Sequence, residues 1–352
     1  MAELKLLREK IEDVVAVATL RLPEPVLLRI VGGRRTVVDG LTLDLQTQVL
    51  LRLMEAEGLP QVNTLSVSEA RAFYRARSGA LAGPRRRMEK TIDRTIPGPR
   101  GPIGVRIYVP KPVPVSEPVL VYYHGGGWVI GDLKTHDPVC RKLAADGGCI
   151  VVAVEYRLAP ENKFPAAVED ALAAYRWVLD HAAEFGGDAS RVAIAGDSAG
   201  GNLAAVVSTL ARDAGWPLPV LQVLIYPVTD LRMQSRSHEL FGDGFFFLTH
   251  DLMLWFREHY LSTEGDRLDP RASPLLTKDV RGLPPAFIAT AGFDPLRDEA
   301  RAYADRLRES GVPVTYRCYD GLIHGFASFT GGISAARLAL AEAVANLRRA
   351  FS

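Results

Sequence analysis

A serine flanked by small residues stands between a strand-like and a helix-like stretch of this sequence. Residues 191–195 are mostly apolar, as in a buried strand, and Gly196-Asp197-Ser198-Ala199-Gly200 follow directly. The G-x-S-x-G pattern in that context is typical of a nucleophile elbow, where glycines let the backbone turn sharply and keep the serine exposed. Ser198 is therefore a candidate nucleophile for acyl transfer. The alternative is a glycine-rich turn with an incidental serine.

A second glycine-rich motif lies upstream, where strand-like residues 118–123 run into His124-Gly125-Gly126-Gly127-Trp128. Consecutive glycines allow backbone N–H groups to converge on a carbonyl oxygen that gains negative charge during acyl transfer. Ala199 offers a further N–H at the start of its helix, where free N–H groups and the helix dipole favour an anion. Three glycines after a strand also fit a plain turn. Two such motifs in this order favour an oxyanion hole and a nucleophile.

The general base is sought among the histidines that follow the serine, because enzymes with this elbow place an acid and then a histidine after it. His324 follows the strand-like residues 314–319 and lies in a turn. The other three fall in loop and amphipathic helix, where a solvated or packed histidine is the ordinary state: His238, His250 and His259. His324 is the predicted base.

Five carboxylates lie between Ser198 and His324 near predicted strand ends: Asp230, Asp294, Asp298, Glu299 and Asp320. Asp294 comes just after the strand-like residues 285–292, at the carboxyl end, where parallel sheets present catalytic groups. Asp230 ends the preceding strand and is the runner-up. The other three are disfavoured by position. Asp298 and Glu299 begin a predicted helix, and Asp320 is too close to His324 along the chain.

Four stretches together resemble the hormone-sensitive lipase family of serine carboxylesterases, whose bacterial members are often called family IV esterases: residues 124–128, residues 196–201, Asp294-Pro295-Leu296 and His324-Gly325-Phe326. The resemblance runs from about Val105 to the C-terminus and is loose over the first hundred residues. It implies an α/β-hydrolase fold, no metal or organic cofactor, and oxyanion donors at the N–H groups of Gly126, Gly127 and Ala199. It further implies that His124 holds the glycine loop in shape and that residues 156–161 support the site.

Strand-like and helix-like segments alternate along most of the chain, which is the pattern of a doubly wound parallel sheet. The first two strands are close enough along the chain to form an antiparallel hairpin at the sheet edge. We predict an α/β-hydrolase fold with an eight-stranded, mostly parallel sheet flanked by helices. The predicted strands are residues 90–97, 103–109, 118–123, 149–155, 191–196, 220–226, 285–291 and 314–319, and the main helices are 165–184, 199–214, 296–310 and 333–351.

Two segments fall outside this alternation, residues 1–80 and about 231–270, and both are predicted to be helical. Their apolar residues recur at helical spacing, as in Leu4, Leu7, Ile11, Val14 and Val15, in Leu45, Val49, Leu53 and Met54, and in Leu252, Met253, Trp255, Phe256 and Tyr260. Such stripes are commonly core contacts. Their placement indicates an N-terminal helical cap segment and a cap insertion on a catalytic domain of residues 81–352. Trp255 and Phe256 are predicted to wall the substrate pocket.

The overall charge is close to neutral, because 42 lysines and arginines face 41 aspartates and glutamates among 352 residues. A net charge this small gives no electrostatic attraction for nucleic acid or an anionic membrane. The three cysteines form no C-x-x-C pair, which argues against a disulfide framework or a zinc site. Charged residues from Glu3 to Asp13 argue against a signal peptide or a spanning segment, so a cytoplasmic location is predicted.

These observations predict a serine carboxylesterase that hydrolyses short- to medium-chain esters, with a small-molecule ester as its partner. Three alternatives stay open: an amidase or peptidase on the same fold, a lipase acting at oil interfaces, and a non-catalytic binding protein. Plant gibberellin receptors resemble this family but lack a complete triad, whereas Ser198, Asp294 and His324 are all present here. The natural ester and the oligomeric state are not determined by the sequence, and a homodimer stays open.

Overall fold

The computed structural model describes residues 14–112, 116–243 and 246–352. Within those ranges the strands form a two-stranded and an eight-stranded sheet. The strands are β1 (Val37–Val38), β2 (Leu41–Thr42), β3 (Lys90–Ile96), β4 (Ile103–Val109), β5 (Glu117–Tyr123), β6 (Ile150–Glu155), β7 (Gly187–Asp197), β8 (Gln222–Ile225), β9 (Ala286–Phe293) and β10 (Val314–Ile323).

The helices lie between these strands and in the two segments outside the alternation, and residues 14–20 are also helical. The labelled helices are α1 (Glu24–Ile30), α2 (Leu45–Ala56), α3 (Val67–Arg77), α4 (Asp137–Gly147), α5 (Ala166–His181), α6 (Ala199–Asp213), α7 (Arg236–Phe241), α8 (His250–Tyr260), α9 (Arg297–Glu309) and α10 (Ser334–Phe351). No helix in the described ranges has the length and hydropathy needed to cross a bilayer.

The large sheet has the strand order β10-β9-β8-β7-β5-β6-β4-β3. Strands β5 to β10 pair in parallel, whereas β3 and β4 form an antiparallel hairpin and β4 also pairs antiparallel with β6. The predicted eight-stranded, mostly parallel sheet with a hairpin edge is confirmed. Because the carboxyl ends of parallel strands meet at one edge, the loops after β5, β7 and β9 are brought together there.

The sheet is buried on both faces, which explains the nearly continuous apolar runs of its central strands. Along β5, Val119, Val121 and Tyr123 point into one core, while Leu120 and Tyr122 point into the other. Helices α5, α6 and α9 cover the first face, and α4 and α10 cover the second. The alternation follows from the two-residue period of a strand.

The prediction that the segment of residues 1–80 is helical is wrong in part, because β1 and β2 form a short hairpin within it. Asp39 and Gly40 connect the strands with positive φ angles of 52° and 78°. An Asp-Gly pair favours the two-residue turn that matches strand twist, so the dipeptide was a readable signal. In the N-terminal apolar stripe, Val14 and Val15 are exposed. The stripe's other members lie outside the described residues: Leu4, Leu7 and Ile11.

Candidate active site

The turn from β7 to α6 places Ser198 in a backbone conformation that residues other than glycine rarely adopt, with φ 55° and ψ −118°. Glycine neighbours are required for steric reasons. A Cβ on Gly196 would overlap the backbone of Gly200, and a Cβ on Gly200 would overlap the carbonyl of Tyr123 on β5. Backbone strain of this kind persists where the surrounding structure holds it, and here it presents the serine hydroxyl to a cavity.

The structure brings Ser198, His324 and Asp294 together from three separate loops. Ser198 Oγ lies 3.0 Å from His324 Nε2, and His324 Nδ1 lies 2.8 Å from Asp294 Oδ2. Asp294 is fully buried and its other oxygen accepts a hydrogen bond from the Leu296 amide at 2.9 Å, so the carboxylate is fixed. In this arrangement the imidazole can take the serine proton while the carboxylate stabilises the imidazolium.

The other carboxylates considered from the sequence have different partners. Asp230 pairs with Arg232 at 2.7 Å, and Glu299 lies 2.9 Å from His238 Nε2. Asp298 and Asp320 do not reach the histidine either. Asp298 accepts a hydrogen bond from the Ser237 amide, and Asp320 lies exposed on β10. Among the described residues, no group of three or more His, Cys, Asp or Glu side chains is arranged to hold a metal ion.

The glycine loop after β5 is held too tightly for any side chain. Gly126 and Gly127 have φ angles of 115° and 57°, and a Cβ would overlap the Ile130 carbonyl or the Phe256 ring respectively. Their N–H groups have no acceptor among the described residues. Ala199 is the first residue of α6, so its N–H has no acceptor within the helix. All three N–H groups are thus free to bind an anion.

Asp197, directly before the serine, is a functional residue that the sequence analysis missed. Its Oδ1 accepts hydrogen bonds from the Gly125 amide at 2.9 Å and the Tyr122 hydroxyl at 2.6 Å, and lies 3.4 Å from His136 Nε2. Burial by itself would raise the pKa of Asp197, but the neighbouring His136 and these hydrogen bonds lower it. The carboxylate therefore ties the glycine loop to the elbow. A lone acid at the end of an apolar strand was the available signal.

His124 holds the same residue, Gly125, through its carbonyl. Its Nδ1–H donates to the Gly125 carbonyl at 2.8 Å, and the ring stacks on Tyr156 at 4.3 Å. The Tyr156 hydroxyl donates to the His124 carbonyl at 2.7 Å. Burial lowers the pKa of His124 to about 4, so the ring is neutral at neutral pH. These contacts fit a residue that shapes the loop without moving protons.

Residues after β6 connect the glycine loop to α3. The Ala159 amide donates to the Trp128 carbonyl at 2.9 Å. Arg71 on α3 donates to the carbonyls of Val129 and Ala159 at 2.8 Å each and pairs with Glu161 at 2.7 Å. Residues 156–161 thus support the loop, and they do so partly through an arginine of the N-terminal segment that the sequence analysis did not single out.

The cavity at Ser198 is lined mainly by apolar side chains from both segments outside the strand-helix alternation. Phe256 on α8 lines it and covers Gly127. Trp255, the other predicted pocket residue, lies outside the lining, and its ring packs at 4.4 Å on His259. Apolar lining residues include Leu50, Leu53, Met54, Val62 and Phe73 from the first segment and Met233, Phe247, Leu248, Leu252 and Met253 from the second.

Comparison with known proteins identifies the fold and the family. A family profile described as having the α/β hydrolase fold matches residues 120–328. The carboxylic ester hydrolase LipN of Mycobacterium tuberculosis is 47% identical over 326 residues, covering 90% of this chain and 85% of LipN. An ethyl acetate hydrolase of Pseudomonas putida is 39% identical over 75% of this chain and 84% of its own.

Solved structures give the same result in three dimensions. An ester hydrolase from the metagenome of Lake Arreo, complexed with a bipyridine phosphonate derivative, superposes with a TM-score of 0.85 at 45% identity, covering 88% of this chain and 99% of that one. A hyperthermophilic esterase from Pyrobaculum calidifontis superposes with a TM-score of 0.83 at 42% identity, covering 87% of this chain and 98% of that one. This chain therefore belongs to the hormone-sensitive lipase family of carboxylic ester hydrolases, with the α/β-hydrolase fold.

Proposed function

We propose that this protein hydrolyses esters of small carboxylic acids by acyl transfer through Ser198, His324 and Asp294. The observation that carries the proposal is the unbroken chain of hydrogen-bond distances from Ser198 Oγ through the imidazole to a buried carboxylate. The serine faces an apolar cavity, which suits the hydrocarbon part of an ester.

The reaction proceeds in two halves. His324 takes the proton of Ser198 as Oγ attacks the ester carbonyl carbon, and Asp294 stabilises the imidazolium. The imidazolium then protonates the leaving alcohol, and the C–O bond to it breaks to leave an acyl-serine. In the second half the same imidazole takes a proton from water, whose oxygen attacks the acyl carbon. Ser198 recovers its proton as the acid leaves.

We assign the stabilisation of the negative charge on the carbonyl oxygen to hydrogen bonds from the N–H groups of Gly126, Gly127 and Ala199. Support comes from the lack of acceptors for them among the described residues and from the hydrogen bonds that fix Gly125, whose N–H donates to Asp197 and whose carbonyl accepts from His124. Preorganised donors of this kind stabilise the transition state without reorganising during the reaction.

Asp197 is expected to act through the position of that loop. Asp197→Asn keeps the shape and an acceptor oxygen but removes the negative charge, which weakens the hydrogen bonds from the Gly125 amide and the Tyr122 hydroxyl and the attraction to His136. We expect kcat for a simple ester to fall about 10- to 100-fold, with KM nearly unchanged, because losing a fully aligned oxyanion donor costs about 10²–10³. Steady-state kinetics on the folded variant measures this split. A rise in KM with kcat intact would instead assign Asp197 to substrate binding.

The first test of the function is a panel of 4-nitrophenyl and alkyl esters, in solution and emulsified, beside matched amides. Turnover of dissolved esters with little turnover of amides is the expected result. Comparable amide turnover would favour a peptidase or amidase. Activity that rises only above the solubility limit would favour a lipase. Binding without turnover would favour a non-catalytic relative.

We propose that the two segments outside the strand-helix alternation, residues 1–80 and about 231–270, act as a mainly helical cap that sets substrate size. Both segments supply the apolar lining of the cavity. The cavity holds about 260 Å³, just below the range of about 300–1,000 Å³ common for small-molecule sites. This size favours short- to medium-chain acyl groups.

Phe256→Ala is expected to shift the preference toward longer acyl chains. Removing the ring over Gly127 enlarges the cavity, and one added methylene in an apolar pocket changes discrimination by about 1–3 kcal/mol. The ratio of kcat/KM for octanoate and butyrate esters measures the shift. Trp255→Ala removes a similar area of aromatic surface from the neighbouring position outside the cavity, so it is the matched control. An equal shift in both variants would contradict the proposed role of Phe256.

A cytoplasmic location is also proposed. Cys140, Cys149 and Cys318 are free thiols, and burial raises the pKa of each. Unpaired cysteines persist in a reducing compartment.

A further inference from the structure

One cation in the cavity, Arg257, has no carboxylate partner in the part of the chain that the structure describes. Arg257 follows Phe256 on α8 and lines the same cavity as Ser198. No carboxylate of the described residues lies within the 4.0 Å ion-pair distance of its guanidinium. Its hydrogen bonds there are long and go to neutral acceptors, with Nη1 3.4 Å from the Leu231 carbonyl and 3.7 Å from Met233 Sδ. Three or more of its five N–H donors are thus open to a ligand.

The other charges that line the cavity are already paired. Glu57 pairs with Arg77, and Asp230 pairs with Arg232. The remaining acids near the serine contact histidines and not Arg257: Asp197 lies beside His136, and Asp294 lies beside His324. Among the described residues that line the cavity, Arg257 is therefore a positive charge that no carboxylate contacts.

The surroundings strengthen the effect of that charge. Arg257 is only partly exposed, and its helix presents Met253 and Phe256 to the same cavity. An apolar wall screens charges less than water does. A guanidinium offers parallel N–H donors that match the two oxygens of a carboxylate. The cavity thus combines an apolar space for hydrocarbon with one anion-binding group.

We propose that the preferred substrates are esters that carry a carboxylate away from the scissile bond, and that Arg257 binds this carboxylate. The proposal rests on the ester hydrolase function proposed above and specifies its substrate class. Arg257 is accordingly a specificity-determining residue, distinct from the groups that carry out the chemistry.

Two pairs of esters test the proposal, each comparing a carboxylate with an isopropyl group of the same shape. Monoethyl adipate and ethyl 6-methylheptanoate place the difference on the acyl half. The acetate esters of 4-hydroxybutyrate and 4-methylpentanol place it on the alcohol half. The ratio of kcat/KM within each pair, measured by proton release, reports recognition of the anion independently of any general loss of activity.

We expect this ratio to fall roughly tenfold or more in Arg257→Gln for at least one pair, because a hydrogen-bonded charge contributes about that factor or more. Arg257→Lys keeps the charge and should retain most of the ratio. Arg348→Gln removes the same charge from an exposed position on α10, so its ratio should match that of the wild type. The pair that responds shows which half of the ester carries the carboxylate.

An unchanged ratio in Arg257→Gln for both pairs would overturn the inference, while turnover of the neutral esters would leave the proposed function standing. If the wild type hydrolyses none of the four esters, both the inference and the proposed function are overturned. The wild type also supplies a test that needs no variant. Adipate should inhibit hydrolysis of ethyl 6-methylheptanoate competitively, and adipamide should inhibit it much less. Equal inhibition by the two would count against an anion site.

Discussion

Replacing Ser198 by alanine is expected to lower kcat/KM for ester hydrolysis by about 10³-fold or more, because the acyl-enzyme can no longer form. The hydroxyl is held at a strained turn and faces the cavity, and its partner His324 also lines the cavity, so water can take the place of the hydroxyl beside Nε2. The fold should therefore be retained. Initial rates on a 4-nitrophenyl ester, with circular dichroism and thermal unfolding as controls, measure both effects.

Two further measurements sharpen this expectation. A fluorophosphonate probe followed by peptide mass spectrometry should label Ser198 in the wild type and leave the alanine variant unlabelled. His324→Gln should lose nearly as much activity as Ser198→Ala, and the double variant should lose little more, because nucleophile and base act as a unit. Substantial turnover by a folded Ser198→Ala variant would refute the assignment of the nucleophile.

Asp294→Asn is expected to lower kcat by about 10³- to 10⁴-fold, comparable with the loss known for an orienting aspartate in serine enzymes. The carboxylate lies 2.8 Å from His324 Nδ1 and is fully buried. An amide there would donate to Nδ1 and favour the wrong imidazole tautomer, so the ring could no longer take the serine proton. Steady-state kinetics on the folded variant tests this directly.

Asp230→Asn and Asp298→Asn are the matched controls, because each changes one carboxylate at a neighbouring position to an amide. Asp230 pairs with Arg232, and Asp298 accepts from the Ser237 amide, so both variants should keep most of the activity. A larger loss in Asp230→Asn than in Asp294→Asn would transfer the orienting role to the loop after β8.

The strands and the two glycine motifs could be predicted from the sequence because their causes are local. A buried parallel strand needs a continuous apolar run, and the eight predicted strands match β3 to β10 to within a few residues at each end. The turns at Ser198 and at Gly126–Gly127 admit only small residues next to crossing backbone, so glycine spacing marks them. Asp294 was favoured because it comes just after its predicted strand, at the carboxyl end, which is again a local property.

What the sequence by itself determined is thus the order of elements, the loops that carry reactive groups and the chemistry these groups can perform. The tertiary structure alone decided which side chains meet across distant loops. Asp197 reaches Gly125, and Arg71 reaches the carbonyl of Ala159, through strand order and helix placement that no local pattern encodes. Phe256 enters the cavity and Trp255 does not, since the rotation of a helix about its axis depends on everything packed against it.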